Sequence, residues 1–396
     1  MTQRSIGIIM NGVTGRMGYR QHLVRSILAI RAAGGVELSD GTRVQVDPIL
    51  VGRNAEKLAS IAVTHGVQRW TTDLAEALAG PDEIYFDSQL TTVREPSILQ
   101  AIAAGKHIYT EKPIADDVAG SVRLAEAAAA AGVKTGVVHD KLYLPGLLKL
   151  KRLIDSGFFG RIISVRGEFG YWVHEGDLQA AQRPSWNYRT QDGGGMVTDM
   201  FPHWNYVLEN LFGRVKSVSA TVVTHIPQRW DEAGEPYAAT ADDAAYATFE
   251  LDGGIVAQIN SSWATRVHRD ELVEFHVDGT HGSAVAGLHR CVAQHRTQTP
   301  KPVWNPDLVE STRFREQWFD VPDNQQFDNG FKVQWEQFIR YVHGGGDHPY
   351  DFLSGVRGVR LAEAGLASSA SGRRIALSED QFELVSDTTL TQVAAR

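Results

Sequence analysis

From residue 6 onward, short apolar runs alternate with stretches of helical spacing: 6–10 then 17–33, 46–51 then 55–66, 83–86 then 95–104. Strand-length runs separated by helices predict βαβ units and a parallel sheet. Residues 121–131 read as another helix closed by Gly132, and 133–138 as another strand. Helical spacing over 144–156 stops at Gly157. The chain is accordingly divided into domains 1–142 and 143–396. In the second, 163–169, 215–226, 243–251, 255–263 and 272–277 are β-rich. Ala245, Ala247, Phe249 and Leu251 oppose Tyr246, Thr248 and Glu250, an alternation that predicts a large, mainly antiparallel open sheet with one covered face. The fold class is therefore α/β throughout. Residues 174–191 and 290–326 show no period and read as lids, site walls or subunit contacts. A last helical pattern, 352–370, is expected to pack back near the first domain.

Composition narrows the function. A length of 396 residues suits two cores rather than one. The longest weakly polar run, 124–138, contains Glu126 and Lys134 and predicts no membrane span. The first residues run straight into a strand without a signal-peptide pattern, so the expected location is cytoplasmic. A single cysteine, Cys291, excludes an internal disulfide and a cysteine-cluster metal site. The net charge of −8, with Arg152, Arg161 and Arg166 scattered, argues against a nucleic-acid partner.

Gly12, Gly15 and Gly18 lie between the first apolar run and the helix starting near Arg16. A glycine turn there can offer backbone amides and a helix N-terminus to a pyrophosphate. The alternative is glycines needed only for a tight turn. The cofactor contacts read from this turn are Gly12, Thr14, Gly15, Arg16 and Met17, joined by Ser88 and Glu111 after later strands. After the second long run, where an NAD site usually carries an acid, the chain reads Gly52-Arg53-Asn54. A guanidinium without a carboxylate favours NADP over NAD; the alternative is Arg53 stacked on adenine in an NAD site.

The tripeptide Glu111-Lys112-Pro113 follows the strand-like 106–109, so Lys112 is expected at the carboxyl end of a strand, which Pro113 then stops. Farther on, Gly193-Gly194-Gly195 precedes Asp199 and His203, which share one helical face if Pro202 falls in a first turn. Oxidising an alcohol needs a base for the hydroxyl proton and a cation for the developing alkoxide. His203 and Lys112, one from each domain, are expected to converge as that pair. No third ligand at metal spacing and no HExxH are present, so no metal is assigned.

These pieces, with Ala104 to His107, Ile154 to Gly157, Gly160 to Ile162, Gly279 to Ser283 and Arg360 to Ala364, resemble the glucose–fructose oxidoreductase, inositol dehydrogenase and MocA (Gfo/Idh/MocA) family over nearly the whole chain. The resemblance implies an N-terminal Rossmann dinucleotide-binding domain and a C-terminal α/β domain that often mediates oligomerisation, here a dimer or tetramer. It also implies the catalytic set Lys112, Asp199 and His203. The chain departs from the family pattern at 88–92 and 139–141, which makes Asp140 and Lys141 candidate substrate ligands. Tyr171, Trp172, His174, Arg183, Trp186, Tyr188 and Arg189 suit a sugar or cyclitol, the alternative being core or interface aromatics. The leading function is an NAD(P)-dependent dehydrogenase acting on a secondary alcohol or hemiacetal carbon of a sugar, glycoside or cyclitol. Two alternatives are a glycoside hydrolase that recycles bound NAD and a non-catalytic sugar or nucleotide sensor.

Overall fold

A computed structural model describes residues 3–170, 184–346 and 348–377. The chain forms two compact units, one built from Met1–Asp140 with Asp328–Glu363, the other from Lys141–Phe327 with Ala364–Leu377. Among the described residues no helix is long and apolar enough to cross a membrane.

The first unit is built on strands β1 (Gln3–Asn11), β2 (Val36–Glu37), β3 (Arg43–Val51), β4 (Arg69–Thr71), β5 (Ile84–Asp87), β6 (His107–Thr110) and β7 (Thr135–Val137). Their order is β2-β3-β1-β5-β6-β7, with β4 also on β3, and all pair in parallel except β2. From β1 the chain goes to β3 on one side and to β5 on the other, which opens a crevice at their carboxyl ends where α/β sheets bind ligands. Both faces of β1 are buried, Ile8 and Met10 in one cluster and Ile9 in another. That explains its unbroken apolar run.

Helices α2 (Ala55–His65), α4 (Thr91–Ala103) and α5 (Val118–Ala131) overlap the expected stretches, α3 (Leu74–Ala79) was not expected, and Gly66 and Gly132 end α2 and α5 in the left-handed region. The helix expected over 17–33 is different. Its main part, Gly18–Ile27, is a π-helix, and only Leu28–Ala32 (α1) is α-helical. Ser26 Oγ supports the wide turns by donating to the Gln21 carbonyl, five residues back, at 2.7 Å. Helix α8 (Gly330–Gly344) packs against this π-helix and β2. Near the start of α9 (Phe352–Ser371), a β-carbon on Gly355 would come within 2.7 Å of Ile114, so only glycine permits that approach.

The second unit carries α6 (Pro145–Asp155), α7 (Met196–Leu211) and strands β8 (Ile162–Gly170), β9 (Val215–Val223), β10 (Gln228–Trp230), β11 (Pro236–Ala238), β12 (Ala244–Leu251), β13 (Val256–Ser262), β14 (Val273–Gly279), β15 (Gly282–Ala286), β16 (Cys291–His295), β17 (Phe319–Asp320) and β18 (Ile375–Ala376). Nine form one sheet, β17-β16-β15-β14-β8-β13-β12-β9-β18, antiparallel but for β8 with β13. Helix α7 covers β9, β12 and β13, and α6 covers β15 and β16. Trp204 of α7 meets Phe169 and Phe275 edge-on and donates its indole N–H to Ser261 at 3.0 Å.

Two expectations need correction. β9 ends at Val223 rather than 226, because the His225 and Ile226 amides bond the Asp243 carboxylate instead of a neighbouring strand. The segment 290–326 is not wholly irregular: it contains β16, paired with β15, and β17.

Candidate active site

At the end of β1 the chain turns through Gly12, whose φ is 80°. A β-carbon there would lie 2.8 Å from the backbone of Ser88 and Gln89, and one on Gly18 would lie 2.5 Å from Ser88 Oγ. The turn is thus pressed onto the segment after β5, and Ser88 Oγ ties it down by donating to the Asn11 carbonyl at 3.1 Å. Gly15 donates its amide to the Gly12 carbonyl at 3.0 Å. Arg16 and Met17 open the helix, and a helix start leaves amides without intrahelical acceptors. Those donors lie at the crevice between β1 and β5, so the residues fit a dinucleotide pyrophosphate. Gly52 closely follows β3 beside Thr14, Arg53 is exposed, and Asn54 Oδ1 caps α2 by accepting the Lys57 amide at 2.9 Å. Arg53 is therefore the one charged side chain at 52–54.

Lys112, half-buried, follows β6 by two residues, as the sequence predicts. Its place is set largely by Arg94, a buried residue of α4. Arg94 Nη1 donates to the carbonyls of Glu111, at 2.8 Å, and Pro113, so one guanidinium grips the chain on both sides of Lys112. Its Nε donates to Asp87 Oδ1 at 3.1 Å and its Nη2 to the Gln89 carbonyl at 2.7 Å. Asp87 in turn accepts from the Tyr85 hydroxyl at 2.7 Å and the Gln89 amide at 2.9 Å. The 88–92 stretch, read from sequence only as a departure, belongs to this clamp. Neither Arg94 nor Asp87 carried a motif that could have singled it out.

In the second unit, Asp199 lies in the first turn of α7 and His203 one turn later. Pro202 is not in that first turn; it stands inside the helix, where it leaves the carbonyl four residues back without its amide partner. Close packing accounts for two of the three glycines before the helix, and Gly193 has a left-handed φ of 76°. A β-carbon on Gly194 would lie 2.4 Å from the Trp186 carbonyl oxygen, and one on Gly195 2.7 Å from Asp242 Oδ1. Asp242 caps the helix, accepting the Val197 amide on Oδ2 at 2.8 Å and the Met196 amide on its carbonyl at 2.9 Å.

His203 is buried, with Nδ1 2.6 Å from the Tyr206 hydroxyl and Nε2 3.1 Å from Lys141 Nζ. A lysine ammonium only donates, so Nε2 carries the lone pair and Nδ1 carries the proton. The Lys141 amide also donates to the Tyr206 hydroxyl, at 3.2 Å. Lys141, read from sequence as a substrate ligand, thus reaches His203; Asp140 precedes it in the 3-10 turn Asp140–Tyr143. Tyr206 was missed, although its place three residues after His203 on one helix was a usable signal.

Tyr171, Trp172, His174 and Arg183 lie outside the described residues. Trp186 is 37% exposed. Tyr188 is a core residue rather than a sugar platform, buried edge-on against Trp263 with the Arg229 guanidinium 3.9 Å from its ring centre. Arg189 stacks over Tyr237 at 4.5 Å.

Over 385 residues, 96% of this chain and 99% of the relative, the sequence is 61% identical to a D-xylose dehydrogenase of Paenarthrobacter nicotinovorans. The chain belongs to the Gfo/Idh/MocA family. Residues 29–139 match the family model described as an oxidoreductase family with an NAD-binding Rossmann fold, and 147–285 the GFO/IDH/MocA C-terminal domain. A 1,5-anhydro-D-fructose reductase of Ensifer adhaerens is 25% identical over 277 residues, 69% of this chain and 73% of that protein. Among solved structures, levoglucosan dehydrogenase in complex with NADH and levoglucosan superposes with a TM-score of 0.76 over 96% of this chain and 100% of its own, at 20% identity. As a Gfo/Idh/MocA protein, the chain is an NAD-binding, nicotinamide-dependent oxidoreductase of sugars.

Proposed function

We propose that this Gfo/Idh/MocA enzyme is a D-xylose dehydrogenase that oxidises the hemiacetal carbon of the pyranose ring to a lactone. The observation that carries the reading is identity of 61% to a D-xylose dehydrogenase along almost the full length of both chains. A nicotinamide, when bound, takes the hydride from carbon. The chain's own residues handle the hydroxyl proton and the charge left on oxygen. His203 accepts the proton on Nε2, where the substrate hydroxyl takes the place of the Lys141 ammonium. Tyr206 holds Nδ1 and so fixes the tautomer. Lys112 stabilises the developing alkoxide, and Asp199 accepts a hydrogen bond from a neighbouring sugar hydroxyl.

The test is nicotinamide reduction by the purified protein with D-xylose, other aldopentoses and hexoses, and levoglucosan, using NAD and NADP in parallel. D-xylose is expected to give the highest kcat/KM. Turnover confined to other sugars would reject the assignment.

For the cofactor, Arg53 with no carboxylate at 52–54 supports NADP over NAD. Arg53→Ala is expected to raise the KM for NADP about tenfold or more and leave that for NAD nearly unchanged. An unaltered ratio between the two cofactors would remove the argument.

A further inference from the structure

His22 sits on the inner side of the π-helix Gly18–Ile27, completely buried. Its Nδ1 lies 3.0 Å from the indole Nε1 of Trp335 on α8, and its Nε2 lies 2.8 Å from Glu111 Oε1. An indole N–H can only donate, so Nδ1 must carry the lone pair. The one ring proton is therefore on Nε2, donated to the Glu111 carboxylate. A second proton on His22 would have to displace Trp335. Phe86 and Phe331 close the ring in, with centroids 4.3 Å and 5.1 Å away, and carry no charge.

Glu111 is thus a buried carboxylate whose His22 partner is neutral. The other charged groups facing it are Lys112, next along the chain, and Arg94, which is already paired with Asp87. Burial pushes its carboxyl up, but the His22 hydrogen bond and the Lys112 and Arg94 charges outweigh that and hold it below the ordinary glutamate value. A buried carboxylate is costly unless hydrogen-bonded and balanced. In a core otherwise filled by aromatic rings, the arrangement makes sense as a device for the residue next door.

We propose that His22, locked as a neutral donor by Trp335, is a positioning residue for the reaction, holding the Glu111 carboxylate as the fixed counter-charge of Lys112. This rests on the role given above to Lys112 as the alkoxide-stabilising cation. The counter-charge holds Lys112 in its role as the cation and leaves proton abstraction to His203. Trp335 acts one step farther out, by denying His22 its second proton.

Four variants of the full-length enzyme test this: His22→Leu, His22→Gln, Trp335→Phe and Lys112→Met. His22→Leu is expected to lower kcat about 10- to 100-fold with little change in the KM for the cofactor. It should also move the alkaline limb of the pH–kcat profile down by about one unit or more, because Lys112 loses its counter-charge. His22→Gln, which keeps a donor for Glu111 and an acceptor for Trp335, should recover most of both effects. Nitrogen-15 NMR of labelled histidine should show His22 as the neutral Nε2–H tautomer in the parent, and loss of that signature in Trp335→Phe. The NMR arm reads the locked tautomer even if His22→Leu folds poorly. An unmoved alkaline limb in a folded His22→Leu, or a His22 that carries its proton on Nδ1 in the parent, overturns the proposal. Undiminished turnover in Lys112→Met would instead strike the reading of Lys112 itself, an outcome the other variants keep separate.

Discussion

At the scale of single residues, the part proposed for His203 follows from what each of its ring nitrogens meets. Lys141 on Nε2 and Tyr206 on Nδ1 select one tautomer and leave the lone pair where a hydroxyl can take it. The ammonium also opposes a second proton on the ring. Lys141→Met should therefore let His203 protonate more readily and shift the acid limb of the pH–kcat profile to higher pH by about one unit. A limb that stays in place, or moves to lower pH, would show that Lys141 does not act through His203. The motif residues Lys112, Asp199 and His203 could be singled out in the sequence by type and spacing. Lys141 could be singled out only as a departure from the family pattern, and its partner, 62 residues away, could not be read at all.

Among the elements, α7 carries His203, and its start is held by close packing. Gly194 is hemmed in by the carbonyls of Trp186 and Asn187, backbone atoms that cannot swing aside. Gly66 at the end of α2 has instead a left-handed φ, 63°, and a β-carbon there meets nothing within 4 Å. Gly66→Ala should then cost about 1 kcal/mol, from backbone conformation alone. Gly194→Ala should cost about 2 to 4 kcal/mol and lower kcat as well, since the start of α7 must shift. Urea unfolding of the two variants checks the difference, and equal losses would refute the packing argument. The strand alternation of the second unit was readable wherever one face is buried and the other open, as in β12. It failed for β16, five residues long with two buried side by side, where pairing with β15 rather than pattern makes the strand. The π-helix was equally hidden, because its apolar spacing differs little from that of an α-helix over ten residues.

For the molecule as a whole, stability should fall as pH is lowered from neutral. Burial pushes His139 down to about 3 and His348 to about 4, from 6.5. Both stay neutral in the folded chain while the unfolded chain takes up protons below about pH 6.5, so stability rises with pH across that window and is lost on the way down. Each histidine should cost about 1.4 kcal/mol per pH unit between 6.5 and its folded value. Urea midpoints measured at about pH 7.5 and about pH 5.5 test this, and His348→Phe should flatten the slope. Midpoints independent of pH in that interval would contradict it.

The sequence by itself determined the parallel α/β beginning, the largely antiparallel sheet that follows, the glycine turn, and the residue types of a nicotinamide-dependent dehydrogenase. These are local properties, written in periods of two and 3.6 residues and in short motifs whose members are neighbours in the chain. Tertiary structure alone decided that α8 belongs to the first unit, that Trp335 reaches His22 from 313 residues away, and that Arg94 grips the chain on both sides of Lys112. Such pairings depend on which surfaces meet when the core closes, and no local period encodes them.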